Sequence, residues 1–109
     1  MFNDELIKRI GELQVKLADI EAKVRQQHNH EDGKVINISV YMQLLSDFAQ
    51  LKVSVANFNF RLSRNILAKI DHNISGIERG YPHVKEHPDY ADFRQLFNTV
   101  SEVVKKDQY

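Results

Sequence analysis

Six aliphatic residues near the start of the chain have a spacing that favours a long helix. Between residues 3 and 28 they follow intervals of four, three, four, three and four: Leu6, Ile10, Leu13, Leu17, Ile20 and Val24. This heptad spacing places them on one stripe of an α-helix, which we call the α1 seam. Asn3 suits the N-cap, and Asp4 and Glu5 suit the positive end of the helix dipole. The seam needs a long partner, either within the same chain or in a second copy, so these six residues are also a candidate oligomer interface.

Residues 40–78 have two possible interpretations. The segments VINISV and KVSVANFNFRL alternate apolar and polar residues, as strands do. Placed at 100° per residue around a helix axis, however, the apolar residues keep largely to one face. The Ala56-Asn57 pair lacks glycine and is a poor two-residue turn between strands. The pattern therefore favours one helix of about 58 Å with Ser39 as its N-cap. A short extended segment at 35–40 stays open. We expect a helix of this length either to kink or to form the spine of an oligomer.

Residues 88–106 form the third predicted helix, with Pro88 at its first position. Its apolar stripe comprises Tyr90, Phe93, Leu96, Phe97, Val100, Val103 and Val104. Glycine and proline divide the chain near residue 33 and again between 80 and 88. The predicted fold is all-α, a single domain over 1–109 with three helices at about 3–28, 40–78 and 88–106. The first two form a long antiparallel hairpin, and the third completes a coiled-coil-like bundle.

Composition limits the classes of function. Fifteen basic and fifteen acidic residues leave no formal net charge, whereas a dedicated nucleic-acid binder is usually basic. The chain has no cysteine, which excludes disulfides, thiolate metal sites and cysteine nucleophiles and is consistent with the cytoplasm. No apolar run approaches the roughly 20 residues that cross a membrane, and the first ten residues do not resemble a signal peptide. We therefore expect a cytoplasmic protein without a membrane partner.

Two histidine-rich segments resemble metal sites. The first three letters of HNHEDG at 28–33, H-N-H, are also the name of a nuclease family. In that family, however, the three residues are separated in the sequence and lie on a different scaffold. Residues two apart do not share a helical face, so a polar helix end closed by Gly33 is favoured. Residues His83 to His87 match the H-x-x-E-H motif of inverzincin peptidases, where it lies on a helix. Pro82 and Pro88 bracket it here and favour an exposed loop.

We expect neither metal nor cofactor, and no enzyme activity. None of the six serines lies in a tight glycine-flanked turn, and no glycine-rich phosphate loop is present.

A basic stripe lies opposite the apolar face of the predicted long helix. No acidic residue occurs between Asp47 and Asp71. Seven polar residues lie within about 80° of Arg61 around the helix axis and span about 27 Å along it: Arg61, Arg64, Asn65, Lys69, His72, Ser75 and Arg79. Five of them are candidate anion- or partner-binding residues: Arg61, Arg64, Lys69, His72 and Arg79. The stripe can be a solvated face that pairs with neighbouring helices, or it can bind an acidic protein or the phosphates of a nucleic acid or nucleotide. Tyr41, Phe58 and Phe60 are assigned to the core.

The leading hypothesis is a non-enzymatic helical protein that self-associates and acts by binding another protein, as a regulator or inhibitor. Its composition is similar to that of small helical phage accessory proteins, although no motif carries the likeness. The alternative is nucleic-acid or nucleotide binding through the basic stripe.

Overall fold

A computed structural model describes residues 3–28 and 38–106 of the chain. The HNHEDG segment beyond residue 28 and residues 35–37 of the possible extended segment lie outside the described residues, whereas residues 38–40 belong to a helix. The described residues form four α-helices and one short 3₁₀ helix: α1 (Asn3–His28), α2 (Ile38–Ala56), α3 (Phe60–Gly80), the 3₁₀ helix (Pro82–Glu86) and α4 (Pro88–Lys105). The prediction of an all-α fold is confirmed, and the first and last helices end within a residue of their predicted bounds.

The four helices run alternately up and down in a bundle of 45 × 21 × 17 Å. Gln14 of α1 donates a hydrogen bond to the carbonyl of Leu45 in α2, and Asp71 of α3 lies 3.6 Å from Arg94 of α4. The helix α4 returns along α1, where Lys23 pairs with Asp89. Phe48 of α2 lies edge-on to Phe93 and to Phe97 of α4 across the core, with ring centroids about 6 Å apart.

The α1 seam lies inside this bundle. Its six residues are between 0% and 1% exposed and contact α2 and α4 of the same chain. The structure therefore favours the intrachain alternative and does not place the seam on a surface that a second copy could reach. Any homo-oligomer of this fold must use other residues.

The prediction of one helix over 40–78 is wrong, because the chain turns at residues 57–59. Phe58 has a φ of 54°, in the left-handed region, and this residue reverses the chain direction. The side chain of Asn59 then caps α3 by accepting a hydrogen bond from the backbone N–H of Leu62 at 3.2 Å. A straight helix would leave its apolar face uncovered, whereas the turn packs α3 against α2. The hydroxyls of Ser54 and Ser63 meet at 2.8 Å across this turn, out of contact with solvent.

Candidate functional site

The five basic residues predicted as a binding site all lie on exposed positions of α3. Arg61 and Arg79 mark the two ends of the row, which is about 27 Å long. Neither of these two arginines has an ion-pair partner within the part of the chain that the structure describes. Arg64 and His72 lie between them on the same side of the helix. The sequence prediction of a basic outer face thus matches the placement of these four side chains.

Lys69 differs from the other four because it is engaged in the fold. Its ammonium group lies 3.3 Å from the carboxylate of Asp47 on α2, and that carboxylate is fully buried. The same carboxylate accepts hydrogen bonds from Gln43 at 2.9 Å and from Asn73 at 3.0 Å. These contacts join residues of two helices, and no sequence pattern predicts that pairing. Lys69 therefore anchors α3 to α2, and we separate it from the candidate binding residues.

The two acidic residues of α3 have partners outside the basic row. Asp71 pairs with Arg94 of α4, and Glu78 accepts a hydrogen bond from the hydroxyl of Tyr90. Burial, together with that hydrogen bond, raises the pKa of Tyr90. Lys85 lies 3.9 Å from Glu78. Both carboxylates are therefore paired with residues that do not belong to the basic row.

An apolar surface adjoins the basic row where α2 turns into α3, and we call it the corner. Its side chains are those of Phe58 and Leu62, which are 54% and 45% exposed. A cleft of about 270 Å³ lies beside Leu62 and is lined by Gln50, Val53, Ser54, Asn57, Asn59, Leu62 and Ile66, which include both sequence neighbours of Phe58. Arg61 lies between Phe58 and Leu62 in the sequence and is exposed in the first turn of α3.

Sequence reasoning missed the corner because it assigned Phe58 to the core. Tyr41 is buried as expected and Phe60 is partly buried, but Phe58 extends into solvent. A signal for the turn was present in Asn57-Phe58-Asn59, since asparagine favours turns and helix N-caps. The Ala56-Asn57 pair lacks the glycine of a two-residue β-hairpin turn, but a turn between two helices does not require that glycine.

The second histidine segment forms the short 3₁₀ helix between Pro82 and Glu86. His83 is largely exposed, and its Nδ1 lies 3.3 Å from the carboxylate of Glu86. No cluster of three potential metal ligands occurs among the described residues. In the same residues, no helix is both long enough and apolar enough to span a membrane.

Comparisons of the chain with protein-family models, with curated proteins and with solved structures gave no match.

Proposed function

We propose that this chain is a non-enzymatic helical protein that acts by binding another protein, and that the corner is its docking surface. The partner segment is amphipathic and acidic, with a large apolar side chain that enters the cleft beside Phe58 and Leu62. Its carboxylates lie near Arg61, at the corner end of the basic row. One observation supports the proposal most directly. Phe58 is an exposed aromatic residue with a left-handed backbone conformation, and it lies close to an arginine and an apolar cleft.

The free-energy cost of the conformation and exposure of Phe58 supports a role for this residue in binding. A left-handed conformation costs a residue other than glycine about 1–2 kcal/mol. Leaving a phenylalanine ring half in water also forgoes part of the free energy that its burial would provide. Strained residues of this kind concentrate at binding sites. Aromatic residues and arginine are likewise the residue types that dominate binding energy at protein interfaces.

Charge complementarity identifies the kind of partner. The chain contributes no acidic residue between Asp47 and Asp71, and the two acidic residues of α3 are occupied by α4. An acidic segment at Arg61 therefore meets a cation in a stretch of chain without carboxylates, and the two carboxylates of α3 are already paired. The apolar cleft supplies affinity, and the arginines supply orientation and faster association.

Selection from a displayed random peptide library on the immobilised protein tests this proposal. We expect enriched peptides to combine one or two large apolar residues with nearby Asp or Glu. Synthetic copies should bind at least about tenfold more weakly to Phe58→Ser and to Arg61→Glu. Val15→Ser is the matched control, because Val15 is 63% exposed on α1 and lies outside the corner. Peptides that bind Phe58→Ser as tightly as the wild type would contradict the proposal.

The row of exposed cations along α3 favours a second candidate, the binding of a nucleic acid through its phosphates. Binding of this kind weakens steeply with salt, because each phosphate contact releases counterions. A fluorescent single-stranded oligonucleotide at low salt tests it by anisotropy. Arg79→Gln, at the end of the row far from the corner, should weaken oligonucleotide binding and leave peptide binding unchanged. The absence of oligonucleotide binding at low salt would exclude this candidate.

The proposal also includes self-association in the cytoplasm. Since the α1 seam is buried within one chain, the surface for a second copy must lie elsewhere on the bundle.

A further inference from the structure

The outer face of α2 differs from that of the other helices in carrying no charge. Its exposed side chains are those of serine, methionine, glutamine, alanine and valine. The two charged residues of this helix are Asp47, which is buried, and Lys52, which is partly buried at the edge of the face. By contrast, exposed positions of α1 include Asp4, Glu5 and Lys8. Met42 and Val53 are 51% and 61% exposed on the α2 face. A helix face of this composition is typical of a surface that is covered in the working state.

Six of these exposed residues repeat the spacing of a helix–helix interface. They follow intervals of three, four, three, four and three: Ser39, Met42, Ser46, Ala49, Val53 and Ala56. This set, which we call the α2 seam, lies on the side of the helix opposite its buried residues. Heptad spacing keeps a stripe in contact with a partner helix over its whole length. Small side chains at four of the six positions allow that partner to approach closely.

The order of large and small residues in the α2 seam identifies the partner. From Ser39 to Ala56 the order is small, large, small, small, large, small, which reads the same in both directions. We infer that a second copy of this chain packs on α2 in antiparallel orientation, with a two-fold axis between Ser46 and Ala49. Met42 then meets Val53 of the other copy, and Val53 meets its Met42.

The same two-fold axis places the four small residues of one α2 seam against small residues of the other. Ser46 lies against the second copy's Ala49, and Ser39 against its Ala56, so that small residues face small residues at the centre and at both ends. An interface of this kind uses the same patch on both copies. The α2 seam contains no charged residue, so the two copies place no like charges against each other.

A concentration series in the analytical ultracentrifuge tests the dimer. Because a single helix pair buries less area than a standard interface, we expect association at roughly micromolar concentrations. Ala49→Glu places two carboxylates beside the two-fold axis and should weaken association at least about 100-fold. Ala91→Glu is the matched control, since Ala91 is an exposed alanine on α4. A wild-type protein that remains monomeric throughout, or one that dimerises equally well as Ala49→Glu, would overturn the inference.

Disulfide trapping tests the orientation, and the natural chain contains no cysteine to interfere. We expect an oxidised mixture of Ser46→Cys and Ala49→Cys proteins to give mainly the mixed dimer. A parallel arrangement would instead give Ser46→Cys homodimers, and that result would refute the two-fold axis proposed above. The dimer does not depend on the proposed peptide binding at the corner. Ala49→Glu should become monomeric and still bind a single acidic peptide through Phe58.

Discussion

Replacing Asp47 by alanine tests whether a buried carboxylate holds α2 and α3 together. This side chain is 0% exposed and has three partners: Gln43, Lys69 and Asn73. The three partners differ in what they lose when the carboxylate is removed. The amide of Asn73 is partly buried, whereas the side chain of Lys69 is 55% exposed and can return to water.

These exposures determine the expected free-energy changes. The hydrogen bond from Asn73 to a charged acceptor contributes about 1.5–3 kcal/mol. The contact from Gln43, one helical turn away and exposed, contributes about 0.2–0.5 kcal/mol. The ion pair with the exposed Lys69 contributes about 0–1 kcal/mol. Relief of the buried charge offsets part of the total, so Asp47→Ala should lower the free energy of unfolding by about 2–3 kcal/mol.

Urea denaturation at pH 7 measures this change, and an unchanged slope with denaturant would show that both proteins unfold in the same way. Lys69→Met keeps the aliphatic stem and removes the charge, and it should cost less than about 1 kcal/mol. The reasoning is refuted if Lys69→Met costs as much as Asp47→Ala. It also fails if Asp47→Ala is as stable as the wild type. The proposal for the corner predicts that Lys69→Met binds acidic peptides normally.

Three further substitutions test individual residues of the fold. Tyr41→Phe should raise stability by about 1 kcal/mol at pH 7, because the buried hydroxyl lacks a hydrogen-bond partner among the described residues. Burial raises the pKa of Tyr41 to about 12. The free energy of unfolding of the wild type should therefore fall between about pH 10 and 12, and this fall should be absent in Tyr41→Phe. Phe58→Asn should be neutral or stabilising by up to about 1 kcal/mol in urea melts, since asparagine tolerates a positive φ; a clear loss would contradict this. The hydrogen bond from Lys23 lowers the pKa of Asp89, which adds stability above about pH 4 that is lost as the pH falls further. Acid titration of Asp89→Asn should therefore show a flatter decline than the wild type.

The helices α1 and α4 were predictable because their own residues determine them. A heptad stripe with acidic residues in the first turn specifies α1, and Pro88 followed by an apolar stripe specifies α4. The turn between α2 and α3 was not predictable by the same means, because both helices present apolar residues at helical spacing up to the turn itself. Whether such a pattern continues straight or folds back depends on what covers the apolar face, and that is a property of the tertiary structure.

The candidate site likewise contains some features that the sequence predicts and others that it does not. Periodicity alone places Arg61, Arg64, His72 and Arg79 on one outer face, and all four are exposed there. Periodicity cannot show that Lys69, on the edge of that face, meets a carboxylate 22 positions earlier in the chain. It also cannot show which partner a heptad stripe contacts, and so it leaves open whether the α1 seam pairs with α2 or with another copy.

The proposed dimer and the proposed corner together predict a dependence on valency. In an antiparallel pair of α2 helices, each Phe58 lies about ten residues beyond the two-fold axis, so the two corners lie about 30 Å apart along the helix direction. One partner that carries two acidic segments on a linker of suitable length can then occupy both corners at once. Such a tandem peptide should bind the wild type at least about tenfold more tightly than a single copy, because its second segment binds at a high effective concentration. Ala49→Glu should bind single and tandem peptides with nearly equal affinity, as measured by anisotropy. An equal gain from the tandem peptide in both proteins would show that the two corners do not act through the α2 dimer.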